Sequence, residues 1–173
     1  GDAEGQREVD DRHFAGDRQA AIGDNEGIGV PEALDRIDTL VVDLDVGDIA
    51  VVIGPAAALS DSLAGQLEAE RSRTLRVENL VAALRLPRGL WRAAPRQNLA
   101  LWVCVGGASV REPLIADIAG VTDLVLADLA FDIAAGMAGS ARAFRYLRPI
   151  GLESVLAGGP LVPVGALAQH LRT

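Results

Sequence analysis

The sequence has no lysine, one cysteine and two histidines, and aromatic residues make up only 3% of it. A single cysteine, Cys104, excludes an intrachain disulfide framework and a cysteine-rich zinc site. His13 and His170 lie at opposite ends of the chain, and no His/Asp/Glu cluster has metal-ligand spacing. No apolar run reaches the roughly 18–20 residues that a membrane-spanning helix needs. No basic, apolar leader opens the sequence, so a cytoplasmic protein without a membrane partner is expected. All 16 basic residues are arginine, which fits a GC-rich coding bias.

What is present is apolar mass. Half of the 173 residues are hydrophobic, enough to bury a sizeable core and to exclude a wholly disordered chain. The net charge of -8 argues against a nonspecific coat for nucleic acid. The charge is uneven: residues 1–48 carry net -10, 49–111 carry +4 and 112–173 carry -2. The arginine-rich middle leaves room for a local anionic contact.

Three segments are expected: an acidic, irregular stretch over 1–30, an α/β domain over 31–140, and a C-terminal extension over 141–173 packed on or following it. Pro31 suits the first turn of a helix, and Leu34, Ile37, Leu40, Val41 and Leu44 form its stripe. Ile49 to Ile53 is a continuous apolar run that suits a strand buried on both faces, closed by Gly54-Pro55. A helix is expected over 57–75, with Glu68, Glu70, Arg71 and Arg73 solvated. Strands are expected over 79–86, 98–105, 114–118 and 144–150. The pair 79–86 and 98–105 reads as antiparallel at a sheet edge. Thr122 or Asp123 should cap a helix running to Met137. Leu152 to Leu156 reads as a short helix, and 161–164 as extended. The order is that of an α/β protein with part of its sheet parallel.

Few residues carry chemistry. The glycines between Gly23 and Gly29 lack the preceding buried strand that a phosphate loop needs, so they read as a surface turn. No serine lies in a nucleophile-elbow context. Cys104, between two valines, reads as a core residue. Asp43, Asp45 and Asp48 have the oxygen donors for a divalent cation, but a solvated helix end is the plainer reading. Arg85, Arg88, Arg92 and Arg96 surround the Pro87–Gln97 loop, with Trp91 among them. Guanidinium groups bind phosphate bidentately and an indole can stack on a base. The competing reading is an ordinary exposed loop in a protein that uses arginine for every cation.

One long stretch resembles a known family. Ile49-Ala50-Val51-Val52-Ile53-Gly54-Pro55 leads into a helix ending Arg71-Ser72-Arg73-Thr74-Leu75. Asn79 to Leu86 then runs into Pro87-Arg88-Gly89-Leu90-Trp91, and Asn98-Leu99-Ala100-Leu101-Trp102-Val103 follows. This resembles the later half of the N-6 adenine DNA methylases, the modification subunits of type I restriction–modification systems. Asp11-Arg12-His13, Pro113 to Ile118, Leu152 to Leu156 and Gly158 to Pro163 extend the likeness. The resemblance implies a partial Rossmann-like methyltransferase sheet flanked by helices and lacking the first strands.

The departures bear on function. The family's cofactor loop and its Asn/Asp-Pro-Pro-aromatic catalytic loop are absent, and Gly54 precedes Pro55 atypically. The resemblance therefore implies S-adenosylmethionine for an intact member but assigns no cofactor or catalytic residue here. It implies a non-catalytic portion that contacts DNA through Arg85, Arg88, Trp91, Arg92 and Arg96, or assembles with another restriction–modification subunit or with itself. The alternatives are a protein-interaction scaffold that binds no DNA, and an enzyme completed by a second chain supplying the missing motifs.

Overall fold

The computed structural model describes residues 17–21, 29–89, 98–140 and 143–171. Its strands are β1 (Asp17–Ala21), β2 (Ile49–Pro55), β3 (Leu80–Arg85), β4 (Leu99–Val105), β5 (Leu114–Asp117) and β6 (Arg148–Pro149). Its helices are α1 (Val30–Val41), α2 (Ala56–Leu59), α3 (Gly65–Leu75), α4 (Leu126–Met137) and α5 (Leu152–Leu156), with a 3-10 turn at Gln169–Leu171. The strands form one mixed sheet in the order β1-β2-β4-β3-β5-β6. β1 pairs parallel with β2, and β3 with β5. β4 runs antiparallel to both β2 and β3, so β1, β2, β3 and β5 all point the same way. The α/β class, with a sheet flanked by helices, matches the sequence reading.

The period-two alternation of strand side chains divides the core in two. One face carries Ala50, Val52, Ala83, Trp102, Cys104 and Ile115, and packs against Ala33, Leu34, Ile37 and Val41 of α1, with α2, α3 and α5. The other face carries Val81, Leu84, Val103, Leu114 and Ala116, against Leu129 of α4 and against Tyr146 and Leu147. Trp102 is fully buried and donates its indole N–H to the Leu59 carbonyl at 2.9 Å, so its polar edge is satisfied. Cys104 is fully buried, and burial pushes its thiol up to about 12. That is a core cysteine, as its setting suggests.

Several elements depart from expectation. Asp17–Ala21 is an outer strand of the sheet, where sequence composition reads as irregular; backbone pairing with β2 from Asp17↔Ile49 to Ala21↔Ile53 outweighs its polarity. The antiparallel partners β3 and β4 do pair, but in the middle of the sheet, because β2 occupies the other side of β4. The long helix over 57–75 is two helices. The Ser60 and Asp61 N–H groups both close on the Ala56 carbonyl, and Ala64 is extended (φ -132, ψ 154), which restarts the chain into α3. Arg71, expected in solvent, is only 3% exposed.

The largest differences lie downstream. α4 begins at Leu126, after an extended Val125 whose N–H bonds the Tyr146 hydroxyl at 3.0 Å, so neither Thr122 nor Asp123 is its cap. Leu126 is 71% exposed. Most of 144–150 is not a strand, because the N–H groups of Arg145, Tyr146 and Leu147 turn to the buried Asp132 carboxylate. Only Arg148–Pro149 pairs, with β5. Residues 161–164 form a bend and turn rather than an extended run. This C-terminal stretch nevertheless contributes Leu161, Val162 and Ala166 to the first core.

Candidate nucleic-acid interface

Four strands present their carboxyl ends along one edge of the sheet: Ala21, Pro55, Arg85 and Asp117. Asn98, at the start of the reversed β4, joins them there. Open α/β sheets place ligands outside the carboxyl ends of their strands, so this edge is the first place to look.

Arg85 is the last residue of β3, and its side chain is 13% exposed. Its Nη2 lies 2.6 Å from Asp61 Oδ1, and its Nε donates to the Val162 carbonyl at 2.6 Å. Val162 in turn donates its N–H to the Ser60 carbonyl. Arg71 clamps the same turn from beneath, with Nη1 donating to the Ala58 and Asp61 carbonyls at 3.0 and 2.6 Å. Burial lowers the Arg71 pKa to about 10, partly opposed by Asp61 and Glu68, which leaves it charged at neutral pH. These arginines tie α2, α3, β3 and the C-terminal stretch together. Asp117 does the same one strand over: Oδ1 accepts the Ala119 N–H at 3.0 Å and Oδ2 the Gly165 N–H at 2.7 Å.

Arg88 is different. It is exposed, sits beside Gly89 (φ +84) in the turn after β3, and donates Nε to Asn98 Oδ1 at 2.8 Å. Among the described residues no carboxylate pairs with it. Arg36, Arg85, Arg111 and Arg145, by contrast, lie beside Glu32, Asp61, Glu78 and Asp128. The edge thus brings Arg85 and Arg88 together but latches one and presents the other. Trp91, Arg92 and Arg96 lie outside the described residues, as do His13 and the glycines before Gly29. Asn98 and Arg71 lie in stretches that carry the family likeness, but neither they nor Asp61 stand out in the sequence as site residues. The one available signal is Asn98 itself, a polar residue at the mouth of an apolar strand.

The other polar features are placed as follows. Among the described residues no group of three or more His, Cys, Asp or Glu side chains is placed to hold a metal ion. Asp45 and Asp48 belong to a backbone-bonded turn, with the Asp48 N–H on the Asp45 carbonyl. Clefts of about 500 and 380 Å³ meet at Ala143, Phe144 and His170. A third, of about 650 Å³, lies between Glu78, Arg111 and Glu153. Neither Arg85 nor Arg88 lines any of these three clefts. No described helix is long and apolar enough to cross a membrane.

No family model and no curated protein matches the sequence. Solved structures do match the fold. A structure from work on complex assembly and conformational transition of a type I restriction–modification system aligns over 91% of this chain and 39% of its own, with TM-score 0.63 and 13% identity. The type IIG restriction endonuclease BpuSI aligns over 78% of this chain and 16% of its own, with TM-score 0.52 and 21% identity. The chain has the fold of a part of these restriction–modification proteins. A type I methyltransferase subunit from Streptococcus thermophilus aligns over 68% of this chain and 25% of its own, with TM-score 0.48 and 13% identity. The chain therefore spans well under half the length of each of these neighbours.

Proposed function

We propose that this chain is a DNA-contacting or assembly portion of a restriction–modification methyltransferase and is not catalytic by itself. The carrying observation is Arg88, an exposed guanidinium that no described carboxylate pairs, on the carboxyl edge of a sheet with a restriction–modification fold. Trp91, Arg92 and Arg96 follow it in sequence and extend the same contact. The +4 net charge of residues 49–111, in a chain of net -8, supports a local electrostatic contact rather than a general one.

S-adenosylmethionine, the cofactor of an intact relative, carries a sulfonium cation and ribose hydroxyls that call for acceptors. The described carboxylates at this edge are already engaged, Asp61 by Arg85 and Asp117 by two backbone N–H groups. The described residues do not fit that cofactor, and no methyl-transfer step is assigned to them.

Assembly has its own support. Val125, Leu126, Phe131 and Met137, along α4 and its entry, are 43%, 71%, 62% and 37% exposed, an apolar outward face typical of a contact surface. This also favours the second reading, a protein-interaction scaffold without DNA binding.

Fluorescence anisotropy with a labelled duplex of about 30 base pairs, from about 50 to 200 mM salt, separates the two. The Arg88→Ala, Arg92→Ala double variant should weaken binding and flatten its salt dependence by about 2 in log–log slope. Unchanged affinity and slope would refute the DNA contact and leave assembly. A monomer that captures no partner subunit in sedimentation would refute assembly.

A further inference from the structure

The turn that carries Arg88 is closed at its base by main-chain and side-chain bonds. The Leu86 N–H donates to the Leu99 carbonyl at 2.9 Å, and the Asn98 carbonyl accepts the Ala56 N–H at 2.8 Å. Asn98 is thereby fixed to both the β3–β4 pair and the start of α2. Its side-chain oxygen then takes the Arg88 Nε at 2.8 Å. A guanidinium has five N–H donors. Nε uses one on Asn98, the residue is exposed, and among the described residues nothing else bonds its Nη1/Nη2 fork. That fork matches two oxygens of one phosphate. The partner's chemistry matters as much as its position. A carboxylate at 98 would hold the same Nε but cancel the charge, as Asp61 does for Arg85 and Glu32 for Arg36. A neutral amide orients the cation and leaves its charge available.

We infer that Asn98 is a positioning residue, whose amide oxygen holds Arg88 so that its uncompensated fork engages a phosphate of a nucleic-acid backbone. The inference rests on the DNA-contact reading above. It goes further in naming the residue that sets the contact and the phosphate diester as the group recognised.

The test uses the full chain, a labelled duplex of about 30 base pairs, and four variants: Arg88→Ala, Asn98→Ala, Asn98→Asp and Arg88→Ala with Asn98→Ala. Arg88→Ala should cost about tenfold in affinity, and the magnitude of the log–log salt slope should fall by about 1. Asn98→Asp preserves the hydrogen bond and the fold yet should lower the slope by the same amount, which a purely structural residue would not do. Asn98→Ala should weaken binding about threefold on its own, with no further loss in the Arg88→Ala background. A wild-type slope in Asn98→Asp, or fully additive losses in the double variant, would overturn the positioning role while the DNA contact stands. No effect of Arg88→Ala, or no wild-type binding at about 50 mM salt, would overturn both. Should Asn98→Ala unfold, Asn98→Asp decides the matter alone.

Discussion

Asp132 is the most demanding residue in the protein. It lies on α4 at 1% exposure, and its carboxylate accepts three backbone N–H groups: Arg145 at 3.1 Å on one oxygen, Tyr146 at 2.8 Å and Leu147 at 3.3 Å on the other. No other element pairs those donors, because 144–147 does not join the sheet. Asp132→Ala would strand them beside Tyr146 and Leu147, each 2% exposed. An unsatisfied buried donor costs about 1–3 kcal/mol. Three would cost about 3–9 kcal/mol, but the Leu147 bond is long and the Arg145 end lies near solvent, where water can substitute. The expected loss is therefore about 3–4 kcal/mol, a large share of the roughly 5–15 kcal/mol that holds such a domain. Urea unfolding followed by circular dichroism measures it, with the slope m checked for constancy. Asp132→Asn keeps one acceptor oxygen but turns an amide toward other donors, so it should lose most of the same energy. A loss below about 1 kcal/mol for Asp132→Ala at unchanged m would refute the assignment of these three bonds to the carboxylate.

Other consequences follow from single residues. Cys104 holds its proton to about pH 12 in the folded chain and to 9.0 in the unfolded one. The stability this contributes is fully present below pH 9 and is lost as pH rises toward 12. Cys104→Ala should flatten that alkaline fall, and a thiol reagent should label the wild type only as it unfolds. A β-carbon at Gly106 would sit 1.9 Å from the Asp45 carbonyl oxygen, so Gly106→Ala should force the 43–48 turn away from the end of β4 and cost more than about 2 kcal/mol. A melting temperature within about 2 °C of wild type would contradict that. The Ser60 hydroxyl is buried without a hydrogen-bond partner, so Ser60→Ala should be neutral or stabilise by up to about 1 kcal/mol in the same urea assay. A loss above about 1 kcal/mol would reveal a partner for it.

The legible parts of the fold are those written in side-chain periodicity. α1 announces itself through Pro31 and the Leu34–Ile37–Val41 stripe, and β2 through five consecutive apolar residues, because burial on one or two faces demands those patterns. What periodicity misses is paid for by the backbone or by a distant residue. β1 is polar and holds its place by pairing with β2. The stretch 144–147 reads as a strand, being Phe-Arg-Tyr-Leu, yet Asp132, 13 to 15 positions upstream, captures its N–H groups. The site divides the same way. The arginine cluster is plain in the sequence, but the sorting of Arg85 from Arg88 depends on Asp61 and Asn98, which lie next to them only in three dimensions.

The reversed strand has a consequence for how the chain is made. β2 and β3 point the same way and do not pair, because β4 lies between them. Yet β4 is synthesised after both. Until Val105 has emerged, a nascent chain carries two apolar strands, each with an open edge facing a space meant for a third. Unpaired edges of this kind are templates for pairing with other chains. The sheet closes from its centre only when the last of the three arrives and pairs with both β2 and β3. That ordering makes the interval between residues 85 and 105 the vulnerable stage of biosynthesis. It also places the arginine-bearing turn, at 88, inside the segment that delivers the closing strand.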